Sequence, residues 1–301
     1  MGGVVASITS PILKEEPKEA LLNMQLNPDN LRAQENGCRL VRVTIAEGSE
    51  SQLQMVEAGC INAVLGAMKK FPNQLSLQEN CCAIIWTLAA GKVDYEEAIV
   101  NEGGLDLVLE AMNRFPTEQN LQEQACGAIK NLASTPTHQK LLFQHQGTDM
   151  VVQAMKTFPN SLTLQDEACG ALARMSVQRD FQSKFTKQGG VEILANVIKT
   201  YTEEPKILIQ AIATLASLSE IQENRESVVK NNVLYFVVRI MNSYTSNPTL
   251  NQQACNLIRN VIEDPELKVL AVKQGVRDAV AQTLRHMPEL AVARDILNRL
   301  N

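Results

Sequence analysis

The sequence predicts an all-α protein, a solenoid of about seven three-helix repeats, and three observations carry that prediction. The first is a period. An aliphatic register recurs at Met24, Met68, Met112, Met155, Ile198, Met241 and Leu284, in steps of 44, 44, 43, 43, 43 and 43 residues. Four residues after each stand Pro28, Pro72, Pro116 and Pro159, then Thr202 and Thr245, then Pro288. The second is a parallel column, Cys38, Cys82, Cys126, Cys169, Ile212, Cys255 and Asn298, which keeps the same steps. The third is helical spacing inside each copy: Leu121, Ala125, Cys126, Ile129, Leu132 and Ala133 fall on one stripe of an α-helix.

Each element of the unit has its own reason. A short helical stretch, Tyr95 to Val100 in the third copy, leads to the pair Gly103-Gly104. Glycine also stands at Gly59, Gly147, Gly189 and Gly275, with Asn231 as the one exception, and these residue types tolerate the left-handed conformation that ends a helix. A medium helix follows, with Leu105, Val108, Leu109 and Met112 on one face, and Pro116 stops it because proline cannot continue a helix. The long helix comes last, introduced by Gln34-Glu35, Gln78-Glu79, Gln122-Glu123 or Gln165-Asp166. Such a unit cannot bury its faces alone, so neighbours must stack. Residues 1–16 are poorly patterned and read as a flexible leader; residues 17–301 read as one repeat domain. The first copy lacks a clear short helix, and a charged helix over 288–301 suits a C-terminal cap.

Composition excludes several classes of function. The chain is 45% hydrophobic, only 4% aromatic, and has a net charge of −5, without the basic excess that a phosphate backbone requires of a partner. Nucleic acid is therefore not an expected partner. No apolar run approaches the roughly 18 residues of a membrane span, and the N-terminus lacks the basic-then-apolar pattern of a secretory signal. Five of the seven cysteines share one repeat position on the apolar stripe, so they read as small core residues. Free thiols point to a reducing, cytoplasmic setting. His138, His145 and His286 are too few and too scattered for a triad or a ligand set. The glycine pairs recur with the period, which makes them corners and not phosphate cradles. The sequence calls for no metal, no cofactor and no enzymatic activity.

The unit resembles the armadillo repeat, and the residues that carry the likeness are Val100-Asn-Glu-Gly-Gly-Leu105 with Gln124-Ala-Cys-Gly-Ala-Ile-Lys-Asn-Leu-Ala133. Lys187-Gln-Gly-Gly-Val191 and Ala168-Cys-Gly-Ala-Leu172 repeat them, and the likeness runs over roughly residues 17–301. The resemblance implies a right-handed solenoid whose long third helices line a concave groove for a protein partner: a scaffold or adaptor. In such grooves an asparagine ladder grips an extended peptide, and importin-α adds tryptophans that clasp lysines. The asparagine register here holds Val43, Thr87, Asn131, Arg174, Ser217 and Asn260. The tryptophan register holds Arg39, Ala83, Gly127, Gly170, Ala213 and Asn256. The nuclear-transport cargo receptor is therefore a disfavoured alternative, and the small residues suggest a wider trough for a helix or a folded surface.

The candidate groove residues follow from these registers. Trp86, the lone tryptophan, shares its register with Arg42, Lys130, Ala173, Ala216 and Arg259. Three of those five are long cations, which predicts a solvent-facing position and a binding anchor; the alternative is that Trp86 tucks under the adjoining repeat. Arg39, Arg42, Lys130, Asn131, Arg174, Asn256 and Asn260 flank it. The acidic column Glu35, Glu79, Glu123, Asp166 and Asp295 lies one turn away on the same face. It would either receive a basic partner or offset helix dipoles in the first turns. Gly2 offers a myristoylation site, although Ala6 stands where Ser or Thr is preferred. A lipid-tethered adaptor is the corresponding alternative.

Overall fold

The computed structural model describes residues 16–300 and places the repeat units in chain order. The first copy contributes α1 (Pro17–Leu26) and α2 (Leu31–Ile45). The second has α3 (Ser49–Glu57), α4 (Cys60–Lys70) and α5 (Leu75–Ala89), and the third α6 (Val93–Asn101), α7 (Gly104–Arg114) and α8 (Gln119–Leu132). The fourth comprises α9 (Pro136–Gln144), α10 (Gly147–Thr157) and α11 (Leu162–Met175). Then come α12 (Arg179–Lys187), α13 (Gly190–Thr200) and α14 (Pro205–Leu218), followed by α15 (Gln222–Lys230), α16 (Val233–Ser243) and α17 (Pro248–Val261). The last copy is α18 (Pro265–Lys273), α19 (Val276–His286) and α20 (Ala291–Leu300). The short, medium and long helices alternate as the sequence predicts. The leader and Gly2 lie outside the described residues, apart from Glu16 at the start of α1.

Long helices pack on long helices, from α2 through α5, α8, α11, α14 and α17 to α20, and medium helices form a second layer behind them. One continuous core runs between the layers. The cysteine column sits in it: all seven thiols are buried and free. Burial pushes the Cys82 and Cys255 thiols up to about 12, so they stay protonated and behave as small apolar groups. Cys38 and Cys81 lie in contact, with 3.5 Å between sulfurs.

The glutamine column has a structural task. Gln122 is buried and donates to the carbonyls of Met112 (2.8 Å) and Phe115 (3.0 Å) at the end of α7, where Phe115 also accepts from the Glu118 N–H. Gln34, Gln78 and Gln165 make the same two bonds to their own medium helices. The glycine corner is corrected in two copies. The left-handed residues are Gly59, Gly103, Gln146, Gly189, Asn232 and Gly275. Gly147 and Asn231 stand beside the corner, one residue after and one before it, because a strict 43-residue step from Gly103 lands on Gln146 and later on Asn232. The C-terminal helix also begins later than expected, at Ala291, burying Val292, Ala293, Ile296 and Leu300 and turning Arg294, Asn298 and Arg299 outward. Among the described residues no helix is long and apolar enough to cross a membrane.

Candidate partner-binding face

The side of the long-helix layer turned away from the medium helices carries one stripe per helix. On α2 it reads Arg32, Glu35, Asn36, Arg39, Arg42 and Val43, at i, i+3, i+4, i+7, i+10 and i+11. On α5 the same positions hold Ser76, Glu79, Asn80, Ala83, Trp86 and Thr87, and on α8 Asn120, Glu123, Gln124, Gly127, Lys130 and Asn131. On α11 they hold Thr163, Asp166, Glu167, Gly170, Ala173 and Arg174. The residues at the fifth position reach across to the next helix. Trp86 is half-buried because its indole lies on Gly127: a Cβ there would stand 2.5 Å from the ring. The stem of Lys130 lies on Gly170 in the same way, with a would-be Cβ 2.5 Å from its Cδ. The small residues of the third-helix register thus do not leave a wider trough at these two points, since the preceding copy fills the space.

The two asparagines at the sixth position bind the same seam. Asn131 is buried, and its amide donates to the Trp86 carbonyl at 2.9 Å. The amide of Asn260 donates to the Ala216 carbonyl at 3.0 Å and lies 3.2 Å from the Ser219 hydroxyl. Each therefore uses an amide N–H to hold one repeat to the last.

Charge on this face is unevenly committed. Glu167 pairs with Lys130 and Asp166 with Lys206, each a cross-link between neighbouring copies. The contact with Asp166 raises the Lys206 ammonium above its ordinary value. Glu123 accepts from the Ser161 hydroxyl of the next copy at 2.6 Å and from the Gln119 amide at 2.9 Å. Partial burial, then the neighbouring Glu118, raise the Glu79 carboxyl, with Arg42 pulling the other way. Arg42 donates to Asn80 of the next copy at 3.2 Å, and Arg39 to Asn36 at 2.9 Å, so both are held by neutral amides. Arg174 is exposed and makes no ion pair among the described residues. Two members of the acidic column, Glu123 and Asp166, thus also fasten neighbouring repeats together.

A family model described as LRRK2 ARM repeat matches residues 8–148 and again 140–294. The chain belongs to this armadillo-repeat family. An engineered protein of known crystal structure superposes with a TM-score of 0.78 at 18% identity, covering 94% of this chain and 68% of its own. The designed armadillo repeat protein YIII(Dq)4CqI gives 0.66 at 15% identity, over 82% of this chain and 100% of its own. A designed armadillo repeat protein in complex with peptide (KR)4 gives 0.64 at 15% identity, over 82% and 99%. No curated protein matches the sequence.

Within the armadillo frame the predicted groove residues share one surface. Arg39, Arg42, Glu79, Trp86, Glu123, Lys130, Asn131, Arg174, Asn256 and Asn260 all belong to the stripes of the long helices, with Arg39, Arg42 and Arg174 the exposed ones. Sequence reasoning missed a buried cluster on the short helices. Glu96 of α6 is only 2% exposed and takes His138 Nδ1 of α9 at 2.7 Å, together with the Ser134 hydroxyl. The serine meets the carboxylate and not the imidazole, so the three do not form a nucleophile–base pair. A signal for it existed: Glu96 and His138 lie 42 residues apart, almost one repeat period. Among the described residues no group of three or more His, Cys, Asp or Glu side chains could hold a metal ion.

Proposed function

We propose that this armadillo chain is a non-catalytic scaffold that holds a protein partner across the exposed stripes of α2, α5, α8, α11, α14 and α17. The observation that carries the reading is the contrast between seam and surface. The seam is closed by Trp86 on Gly127, Lys130 with Glu167, and the amides of Asn131 and Asn260. Side chains beside it, Arg39 and Arg174 foremost, are exposed. A face fixed in this way loses little freedom on binding, which favours affinity. The designed armadillo proteins for modular peptide recognition have the same fold, which supports a peptide-sized partner. Importin-like capture is disfavoured, because no tryptophan occupies the clasping register and the asparagine ladder is reduced to Asn131 and Asn260. The seven buried thiols favour a reducing, cytoplasmic setting.

The test is a substitution that changes the face and leaves the seam alone. Val43→Arg with Arg174→Glu, both at exposed positions, should keep the melting temperature and helical content of the parent while abolishing capture of its partner from native extract. Undiminished capture would remove the partner from this face.

A further inference from the structure

We propose that the segment held on the long-helix face is acidic, a refinement that rests on the reading of that face as the partner surface. The whole chain has a net charge of −5. The six helices from α2 to α17 that form the face nevertheless carry seven cationic side chains (Arg32, Arg39, Arg42, Lys130, Arg174, Lys206, Arg259) against five acidic ones (Glu35, Glu79, Glu123, Asp166, Glu167), a surplus of two. The protein thus concentrates positive charge on one face and negative charge elsewhere, which steers an anionic segment to the face.

The internal contacts sharpen that balance. Both lysines are already neutralised by Asp166 and Glu167. What remains is five arginines against three glutamates. Arg32, Arg174 and Arg259 make no ion pair among the described residues, and the hydrogen-bond partners of Arg39 and Arg42 are amides, although Glu79 lies within the field of Arg42. All five are guanidiniums, whose planar fork matches a carboxylate through two parallel hydrogen bonds. Arg32 and Arg39 also line an open hollow with Glu35, Asn36, Ser76 and Asn80 that spans the first two copies. Asn36 and Asn80 hold Arg39 and Arg42 in place, so these donors are set before a ligand arrives.

The spacing suits an extended chain. Packed helix axes lie about 8–10 Å apart, so Arg42 and Arg174, three copies apart, stand roughly 30 Å from each other, and Arg259 about 20 Å further on. An extended segment rises about 3.3 Å per residue, so acidic residues some nine and then six positions apart would meet these three arginines.

The probe is a fluorescein-labelled peptide of alternating Glu and Ser, about 16 residues long to span that distance, followed by anisotropy beside an equally long Lys-Arg peptide. The acidic peptide should bind, weaken as salt rises, and lose about ten-fold in affinity for each arginine reversed in R39E, R174E and R259E. The neutral triple variant R39Q/R174Q/R259Q should retain the fold and lie between. Tighter binding of the Lys-Arg peptide overturns the acidic assignment while leaving the face as the partner surface. Acidic binding that is equal in the parent and the triple reversal, or binding of neither peptide, also overturns it. Only the capture experiment with Val43→Arg/Arg174→Glu decides the broader reading.

Discussion

The third and fifth copies are the same unit fastened in different ways. In the third, Gln122 caps the end of α7 from within the copy, through the carbonyls of Met112 and Phe115. In the fifth, the equivalent residue is Leu208, fully buried, and the end of α13 has no such clamp. There the corner aromatic is Tyr201 where the third copy has Phe115, and its hydroxyl reaches back 2.8 Å to the Pro159 carbonyl of the fourth copy. Tyr244 repeats the device in the sixth, onto Thr202 at 3.0 Å. The difference teaches that the corner after a medium helix can be clamped from within its copy or tied to its predecessor, and the sixth copy does both, since Asn251 donates to the Tyr244 carbonyl at 2.7 Å. Both kinds still lean on the stack, the third copy through Asn131 on the Trp86 carbonyl and Arg114 on Asn73 of the second, as nearest-neighbour coupling in solenoids requires.

Exchanging the two fastenings should give the largest effect. Gln122→Leu leaves the buried Met112 carbonyl without its donor and the Phe115 carbonyl with the Glu118 N–H alone, and should cost about 2–3 kcal/mol in a denaturant melt. Leu208→Gln offers a donor to the matching carbonyls of α13 and should change stability by less than about 1 kcal/mol. Equal costs would dissolve the comparison.

The seam between the second and third copies comes next. Gly127→Ala drives a Cβ into the Trp86 ring, and the indole must lift. Overpacking of this kind should cost about 1–3 kcal/mol, with a red shift of tryptophan emission as the ring meets water. Trp86→Ala in the same chain should cancel much of that cost, a coupling that a double-mutant cycle reads directly.

Smaller still is Tyr201→Phe, which removes one inter-copy hydrogen bond worth about 0.5–1.5 kcal/mol. Hydrogen exchange should quicken in α13 and α14 and stay unchanged in α7 and α8. The smallest expected effect is a gain: Gln146 holds φ at 63°, so Gln146→Gly should stabilise by about 1 kcal/mol, and Asn232→Gly by less, because asparagine tolerates that region better.

Much of this was legible in the sequence, and what was missed has physical reasons. Periodic apolar residues and corner residues report local backbone choices, so the repeat count, the helix order and the buried cysteine column could be read from spacing alone. The left-handed corners in the fourth and sixth copies were misplaced by one residue because an adjacent glycine or asparagine offered a better-looking host. Trp86 was harder. Its register-mates include long cations, which suggested open solvent, but a flat ring and a lysine stem both fit over a glycine of the next helix. Part of the role of the acidic column was hidden for a related reason: Glu123 finds Ser161, and Asp166 finds Lys206, 38 and 40 residues ahead. Such partners become visible only when each register is compared with the following copy and not with its own helix.

The central claim, that the exposed long-helix stripes hold the partner, is tested most directly by hydroxyl-radical footprinting of the chain with and without the partner it captures. Protection at Trp86 and along the exposed residues of α2 to α17, with the short helices unchanged, is the expected result. Protection confined to the short helices, with Trp86 as reactive as in the free protein, would contradict it.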